Sequence, residues 1–291
     1  MESFVSSSQS GTDEFCCIQR LNLQDKPSRD PLNNLYENFK LKFNNAKNIF
    51  IYNNEKYNFY NLIKEIYNNE FNINIDLENI HELLNSNLID NNSKEYYSKI
   101  PIFGKNDRES IFVKIFYKYF DLNNNIKNFY EDFIINYIKP TYFNSEEYLV
   151  VQKTPNIRFH LPNCSNIGSR NSDPNKNIIG LHNDYEFNHD ENEINLIIPI
   201  TNMFDTNSIY FESDENSNYL YENYNNLKLN KNNLAFMYFN KWNHYNMINT
   251  TNQTRVSFDI RIIPYSKYTE NIKKSETHKN KLIIGDYFIK I

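Results

Sequence analysis

The apolar residues of this chain repeat with one period in its first half and another in its second. Between about 33 and 140 the spacing is helical: Leu35, Phe39 and Phe43 fall at steps of four, as do Phe59, Ile63 and Tyr67. Asp76 followed by Glu78, Ile80, Leu83 and Leu84 predicts a capped short helix. From Asp107 to Lys139 two apolar stripes alternate with polar positions. One holds Ile111, Phe112, Ile115 and Phe116, the other Phe129, Phe133, Ile134 and Tyr137, and Pro140 is expected to stop the second helix. After Pro140 the period becomes two. Strands are predicted at 148–152, 156–161, 178–185, 194–200, 208–211, 234–239, 244–249 and 254–263, with another in 282–291. Residues 1–30 are polar with few apolar anchors and read as a disordered terminus. The expectation is an α+β protein: a helical part over 31–140 packed on one sheet of a double-stranded β-helix, or jelly roll, over 141–291, the two forming one unit.

The strand at 254–263 says most about which side of the sheet faces what. Arg255, Ser257, Asp259 and Arg261 share one face, and Val256, Phe258, Ile260 and Ile262 the other. The apolar face needs cover, which the stripes of 107–139 can supply. The polar face is then free to line a cavity for a polar ligand.

Composition narrows the function classes. The chain has 291 residues, with 22 Phe, 23 Tyr and only 5 Gly, and alanine only at Ala46 and Ala235. This bias, with its abundant Asn, warns against reading function into Asn runs such as Asn123, Asn124 and Asn125, which are expected as loop filler. The net charge is -5, from 31 basic and 36 acidic residues of interspersed sign. No basic track for a nucleic acid is present, and the Lys273, Lys274, Lys279, Lys281 stretch reads as solvated surface. Cys16, Cys17 and Cys164 make neither a disulfide framework nor a metal knuckle, and no apolar run is long enough for a membrane span. A reduced, cytoplasmic setting is expected.

The chemistry concentrates in three places. In Gly180–Leu181–His182–Asn183–Asp184, an extended strand would point His182 and Asp184 the same way, about 7 Å apart. His244, after the apolar strand at 234–239, is the third candidate ligand. Two imidazoles and one carboxylate on one face leave octahedral positions open, which suits iron(II) that must take dioxygen and a co-substrate together. Arg255 lies 11 residues beyond His244 and Ser257 two further on, both on the polar face of the last strand. A buried guanidinium there calls for a carboxylate. A 2-oxo dicarboxylate could chelate the metal at one end and dock at the other on Arg255 and Ser257.

Taken together, His182-x-Asp184, His244 and Arg255-x-Ser257 resemble the signature of the 2-oxoglutarate/Fe(II)-dependent dioxygenases. Gln152–Pro155, Arg158–His160, Leu181–Asp184, Glu193–Asn195, Pro199–Thr201 and Arg255–Asp259 resemble the branch of streptomycin-biosynthesis proteins of the StrG type. The resemblance covers about 140–265. It implies iron(II), 2-oxoglutarate and dioxygen as reactants and hydroxylation of a small molecule, with succinate and carbon dioxide released. The presence of Asp184 sets the chain apart from the halogenating variants. A cupin-like metalloenzyme that does not use 2-oxoglutarate, and a non-catalytic jelly-roll binding protein, are the alternative readings.

Other residues stand between function and packing. Arg158 and His160 share a strand face and are read either as substrate contacts or as a satisfied structural pair. Asn195 is read either as a co-substrate contact or as a structural hydrogen bond, and Trp242 and Tyr245 either as walls of the site or as packing. His189 is expected in a surface loop, His81 and His278 as solvated, and Glu212, Asp214 and Glu215 as a loop face.

Overall fold

A computed structural model describes residues 48–98, 109–143, 146–164, 179–212, 224–275 and 279–291. The expectations for the terminus, for Leu35–Phe43, for Cys16 and Cys17, for His278, and for Asp214 and Glu215 lie outside these residues.

The chain enters as β1 (Asn48–Ile51), a short strand inside the region expected to be helical. Helix α1 (Phe59–Phe71) follows. The Asn58 side chain accepts the Asn61 N–H at its start, and Asn72 closes it in the left-handed region at φ 53°. The segment expected as a short helix at Asp76 is a 3-10 helix, Leu77–Asn85, and Asp76 makes no cap bond there. Its carboxylate pairs with Lys64 at 2.7 Å instead. Helices α2 (Asn91–Ser98), α3 (Ile111–Leu122) and α4 (Asn124–Phe133) come next. Asn123, expected as loop filler, caps α4 by accepting the Asn125 N–H. Pro140 does not end the helical run. The backbone widens into a π-turn over Ile134–Ile138 and continues as α5 (Lys139–Tyr142). A proline has no N–H and crowds the preceding turn, and one wide turn accommodates both without breaking the helix.

Two antiparallel sheets form the rest. The larger runs in the order β1, β8 (Asn233–Met237), β5 (Ile194–Pro199), β10 (Arg255–Pro264), β2 (Leu149–Gln152) and β13 (Phe288–Lys290). Strand β3 (Asn156–His160) also pairs with β10. β10 is long enough to hold β2 against its second half and β3 against its first. Pro155, with no N–H to give, falls in the gap between those two partners. The smaller sheet is β4 (Ile179–His182), β9 (His244–Asn246), β6 (Ile209–Glu212) and β7 (Tyr224–Asn226). A two-stranded ribbon, β11 (Asn271–Lys274) with β12 (Lys281–Leu282), completes the set. β1, β7 and β11 were not anticipated.

The core lies between the larger sheet and the helices, as the last strand required. Val256, Phe258, Ile260 and Ile262 are buried and join one cluster with α1, α3 and α4. The Phe258 ring meets Phe59 and Phe116, each at a centroid distance of 5.6 Å. Covering a side chain of this size contributes about 1.5–3 kcal/mol. It also commits the opposite face of β10, with Arg255, Ser257, Asp259 and Arg261, to the other side of the sheet. No helix among the described residues is long and apolar enough to cross a membrane.

Candidate metal centre

The two histidines meet because β4 and β9 pair with His182 directly opposite His244. Their rings lie 4.3 Å apart by centroid. Asp184 arrives by a route the sequence did not suggest. β4 stops at His182, and Asp184 opens a 3-10 turn, Asp184–Phe187, where the Asn183 side chain accepts the Glu186 N–H. The turn folds the carboxylate back, so that Oδ1 sits 3.5 Å from His182 Nε2 and 3.7 Å from His244 Nε2. An extended strand would have held His182 and Asp184 about 7 Å apart. All three ligand atoms lie within 4.8 Å of one another.

The donor set fits a divalent first-row ion. Each imidazole has its Nδ1 at a backbone carbonyl, that of Gly180 for His182 and that of Trp242 for His244. A neutral ring donating through Nδ1 carries its lone pair on Nε2, the atom turned to Asp184. Burial, with His182 beside it, pushes the His244 pKa down to about 3, so this ring is neutral. Burial alone would raise the Asp184 pKa, but Arg261 together with both histidines holds the carboxyl well below its usual range. With both rings in the neutral form, the site offers two nitrogen lone pairs and one anionic oxygen. Phe239 stacks on the His244 ring at 4.2 Å and Phe187 meets the His182 ring edge-on at 4.8 Å.

Behind Asp184 stands a buried charge network. Its Oδ2 accepts hydrogen bonds from Arg261 Nη2 at 2.7 Å and Asn195 Nδ2 at 2.9 Å. Arg261 also pairs through Nη1 with Asp259, and its Nε lies 3.2 Å from Glu193 Oε1, a charge contact without hydrogen-bond geometry. Glu193 is fully buried and pairs with His189 at 2.9 Å. His189 is thus not in a surface loop. Burial disfavours its charged form, but the Glu193 carboxylate outweighs that and draws its pKa up. Arg261 and His189 thus face Asp184, Glu193 and Asp259 in one connected cluster.

Along the same face of β10 the situation reverses. Arg255 is 1% exposed. Its Nη1 and Nη2 both donate to the Asn246 amide oxygen at 3.3 Å, and its Nε has no partner. Among the described residues no carboxylate lies within ion-pair distance of it. Burial, with Arg158 nearby, draws its pKa down to about 9. Asn246 is two residues beyond His244 on β9, so strand alternation sets it on the metal side. Ser257 is also buried, with Arg158 opposite it across β3 and β10.

The remaining candidates are otherwise engaged. Asn195 gives its amide N–H groups to Asp184 and Asp259 and accepts the Phe239 N–H, so in this structure it holds Asp184 and does not face open space. His160 is fully buried with its ring nitrogens 3.2 and 3.1 Å from the carbonyls of Asn207 and Cys164, the structural of its two readings in this structure. Burial and the Arg255 charge draw its pKa down to about 3. Trp242 packs on Phe211 and Tyr238, and its carbonyl orients His244. His81 is not simply solvated: its Nδ1 lies 2.9 Å from the Thr254 hydroxyl. Glu212 is no loop face either; it is buried and accepts both the backbone and side-chain N–H of Asn243.

No family model matches the chain. A streptomycin biosynthesis protein, StrG of Streptomyces griseus, is 28% identical over 138 residues, which is 47% of this chain and 58% of that relative. Solved structures resemble it loosely, two of them as follows. One is a non-haem monooxygenase, ThoJ, in its nickel complex (15% identity, 40% of this chain and 45% of that one, TM-score 0.31). The other is HygX from Streptomyces hygroscopicus with nickel and 2-oxoglutarate bound (8% identity, 87% and 94%, TM-score 0.30). The chain is thus a mixed helix and antiparallel-sheet protein with a His-His-Asp triad that could bind metal, similar over about half its length to an antibiotic-biosynthesis protein.

Proposed function

We propose that the protein is an iron(II)- and 2-oxoglutarate-dependent oxygenase that hydroxylates a small molecule, its two sheets closing as a jelly roll around the site. One observation carries this reading. A guanidinium, Arg255, is buried with no carboxylate within ion-pair distance among the described residues, on the side of the sheet that bears the triad. A buried charge with no counter-ion is costly, and an anionic ligand removes the cost.

His182, Asp184 and His244 would hold the iron, which when bound supplies dioxygen activation coupled to oxidative decarboxylation of 2-oxoglutarate to succinate and carbon dioxide. Arg255 would take the distal carboxylate of 2-oxoglutarate through two charge-assisted hydrogen bonds, with the Ser257 hydroxyl adding a third. Asn246, which now accepts from both Arg255 nitrogens, would hold the guanidinium until the co-substrate takes its place. Phe239 and Phe187 keep water from the faces of the two imidazoles. Arg158, opposite Ser257, brings a second positive charge near the co-substrate and is proposed to meet the substrate. The relative's place in streptomycin biosynthesis supports a small-molecule substrate, and the cysteine usage a cytoplasmic setting. A metalloenzyme of the same fold that did not use 2-oxoglutarate would leave Arg255 buried and unanswered.

The test is calorimetric. Protein loaded with redox-inert nickel(II) is titrated with 2-oxoglutarate, alongside Arg255→Met. Binding by the parent and its loss in the variant are expected. A folded, nickel-loaded parent that ignores 2-oxoglutarate overturns the reading.

A further inference from the structure

We propose that Arg261 is a positioning residue that pins Asp184 as a one-oxygen metal ligand. The two oxygens of Asp184 have different neighbours. Oδ1 faces both imidazole Nε2 atoms, at 3.5 and 3.7 Å. Oδ2 is held from behind by Arg261 Nη2 at 2.7 Å and Asn195 Nδ2 at 2.9 Å. A carboxylate whose second oxygen carries two donors, one of them cationic, cannot swing that oxygen onto the metal without giving both up. One position that a chelating carboxylate would fill is thereby kept for other ligands.

The fold makes this arrangement rigid. Arg261 and Asn195 are direct cross-strand partners in the β5–β10 register, so both side chains rise from adjacent points of one sheet face. Arg261 is fixed on its other edges by Asp259 and Glu193, and Glu193 in turn by His189. Asn195 is fixed by accepting the Phe239 N–H, while Phe239 accepts the Asp184 N–H at 2.6 Å through its carbonyl. The hold on Asp184 thus reaches its backbone as well as its side chain. Lysine, a point charge without a fork, could answer Asp184 or Glu193 but not all three carboxylates together.

The proposal rests on the metal-centre reading above, and its test separates the two. The full chain, Arg261→Lys and Asn195→Ala are titrated with cobalt(II) in the absence of 2-oxoglutarate. Affinity is read from the titration, the d–d spectrum is recorded at saturation, and urea melts of the metal-free proteins report on folding. Arg261→Lys is expected to bind cobalt about 10–100-fold more weakly. At saturation its band intensity and shape should change as Asp184 turns to offer both oxygens, with a smaller change of the same kind in Asn195→Ala. A purely structural role would move the melt and leave the saturated spectrum alone. Parental affinity and spectrum in Arg261→Lys overturn the proposal; should that variant fail to fold, Asn195→Ala decides by the same criterion. A parent that binds no cobalt overturns the metal centre itself, and this is seen before any variant is compared.

Discussion

Two arginines stand on the same face of β10, six residues or about 20 Å apart, and both are almost wholly buried. Arg261 touches three carboxylates, those of Asp184, Glu193 and Asp259. Arg255 touches an amide oxygen and, among the described residues, no carboxylate. Burial opposes charge at both, yet the pKa of Arg261 is driven well above its ordinary value by Asp259 and Asp184, while that of Arg255 falls to about 9. One guanidinium is a finished part of the architecture. The other, on the proposed function, is half of an interaction whose partner comes from solution. The strand is uniform in pattern, and only the neighbours across it tell the two ends apart.

The sharpest way to break this comparison is to remove each charge in turn. Arg261→Met leaves three carboxylates buried without their cation, and should cost about 3–5 kcal/mol of folding stability, read from a urea melt. Arg255→Met takes away an unanswered charge, so the metal-free protein should melt at or above the parental midpoint. If both variants lose stability equally, the distinction between the two ends is wrong. Arg255→Met should nonetheless lose about 2–5 kcal/mol of 2-oxoglutarate binding in calorimetry on the nickel-loaded protein. Ser257→Ala removes a single neutral donor, and a loss of about 0.5–1.5 kcal/mol is expected in the same titration.

The comparison also bears on pH dependence. Burial holds the Arg255 pKa down at about 9 in the folded protein, below its ordinary value in the unfolded chain. Over that window the unfolded state binds more protons, so the Arg255 contribution to stability rises with pH. The charge is thus an unfavourable term below about pH 9 that fades above it. Subtracting the stability–pH curve of Arg255→Met from that of the parent isolates this term from the tyrosines titrating nearby. A flat difference curve would place a counter-ion beside Arg255 already.

How much of this was legible in the sequence varies with the range of the interaction. Alternation along 254–263 separated the polar from the apolar face correctly, because a period of two is a local property of the strand. The three ligands were legible as residue types, but their geometry was not. Asp184 reaches His182 through a 3-10 turn, and the turn depends on Asn183 capping Glu186. Asn183 falls inside a predicted strand, and nothing local said that the strand would end before it. Pro140 likewise looked like a stop, yet the backbone widens into a π-turn ahead of it and the helix runs on. Glu193, His189 and Arg261 were each present in the pattern, yet their association follows from the β5–β10 register and from a loop that folds inward. His189 in particular sat among acidic residues that resembled a surface turn; the buried Glu193 four residues on was the available signal.

The central claim is that the triad and Arg255 belong to one site, occupied by iron(II) and 2-oxoglutarate together. The most direct test is the visible spectrum of the anaerobic protein with iron(II) as 2-oxoglutarate is added. A weak charge-transfer band should grow to saturation in the parent. It should be absent in His182→Ala at any concentration, and require far more 2-oxoglutarate in Arg255→Met. A folded, iron-loaded parent that shows no band, or an Arg255→Met that saturates with the parent, would contradict the account.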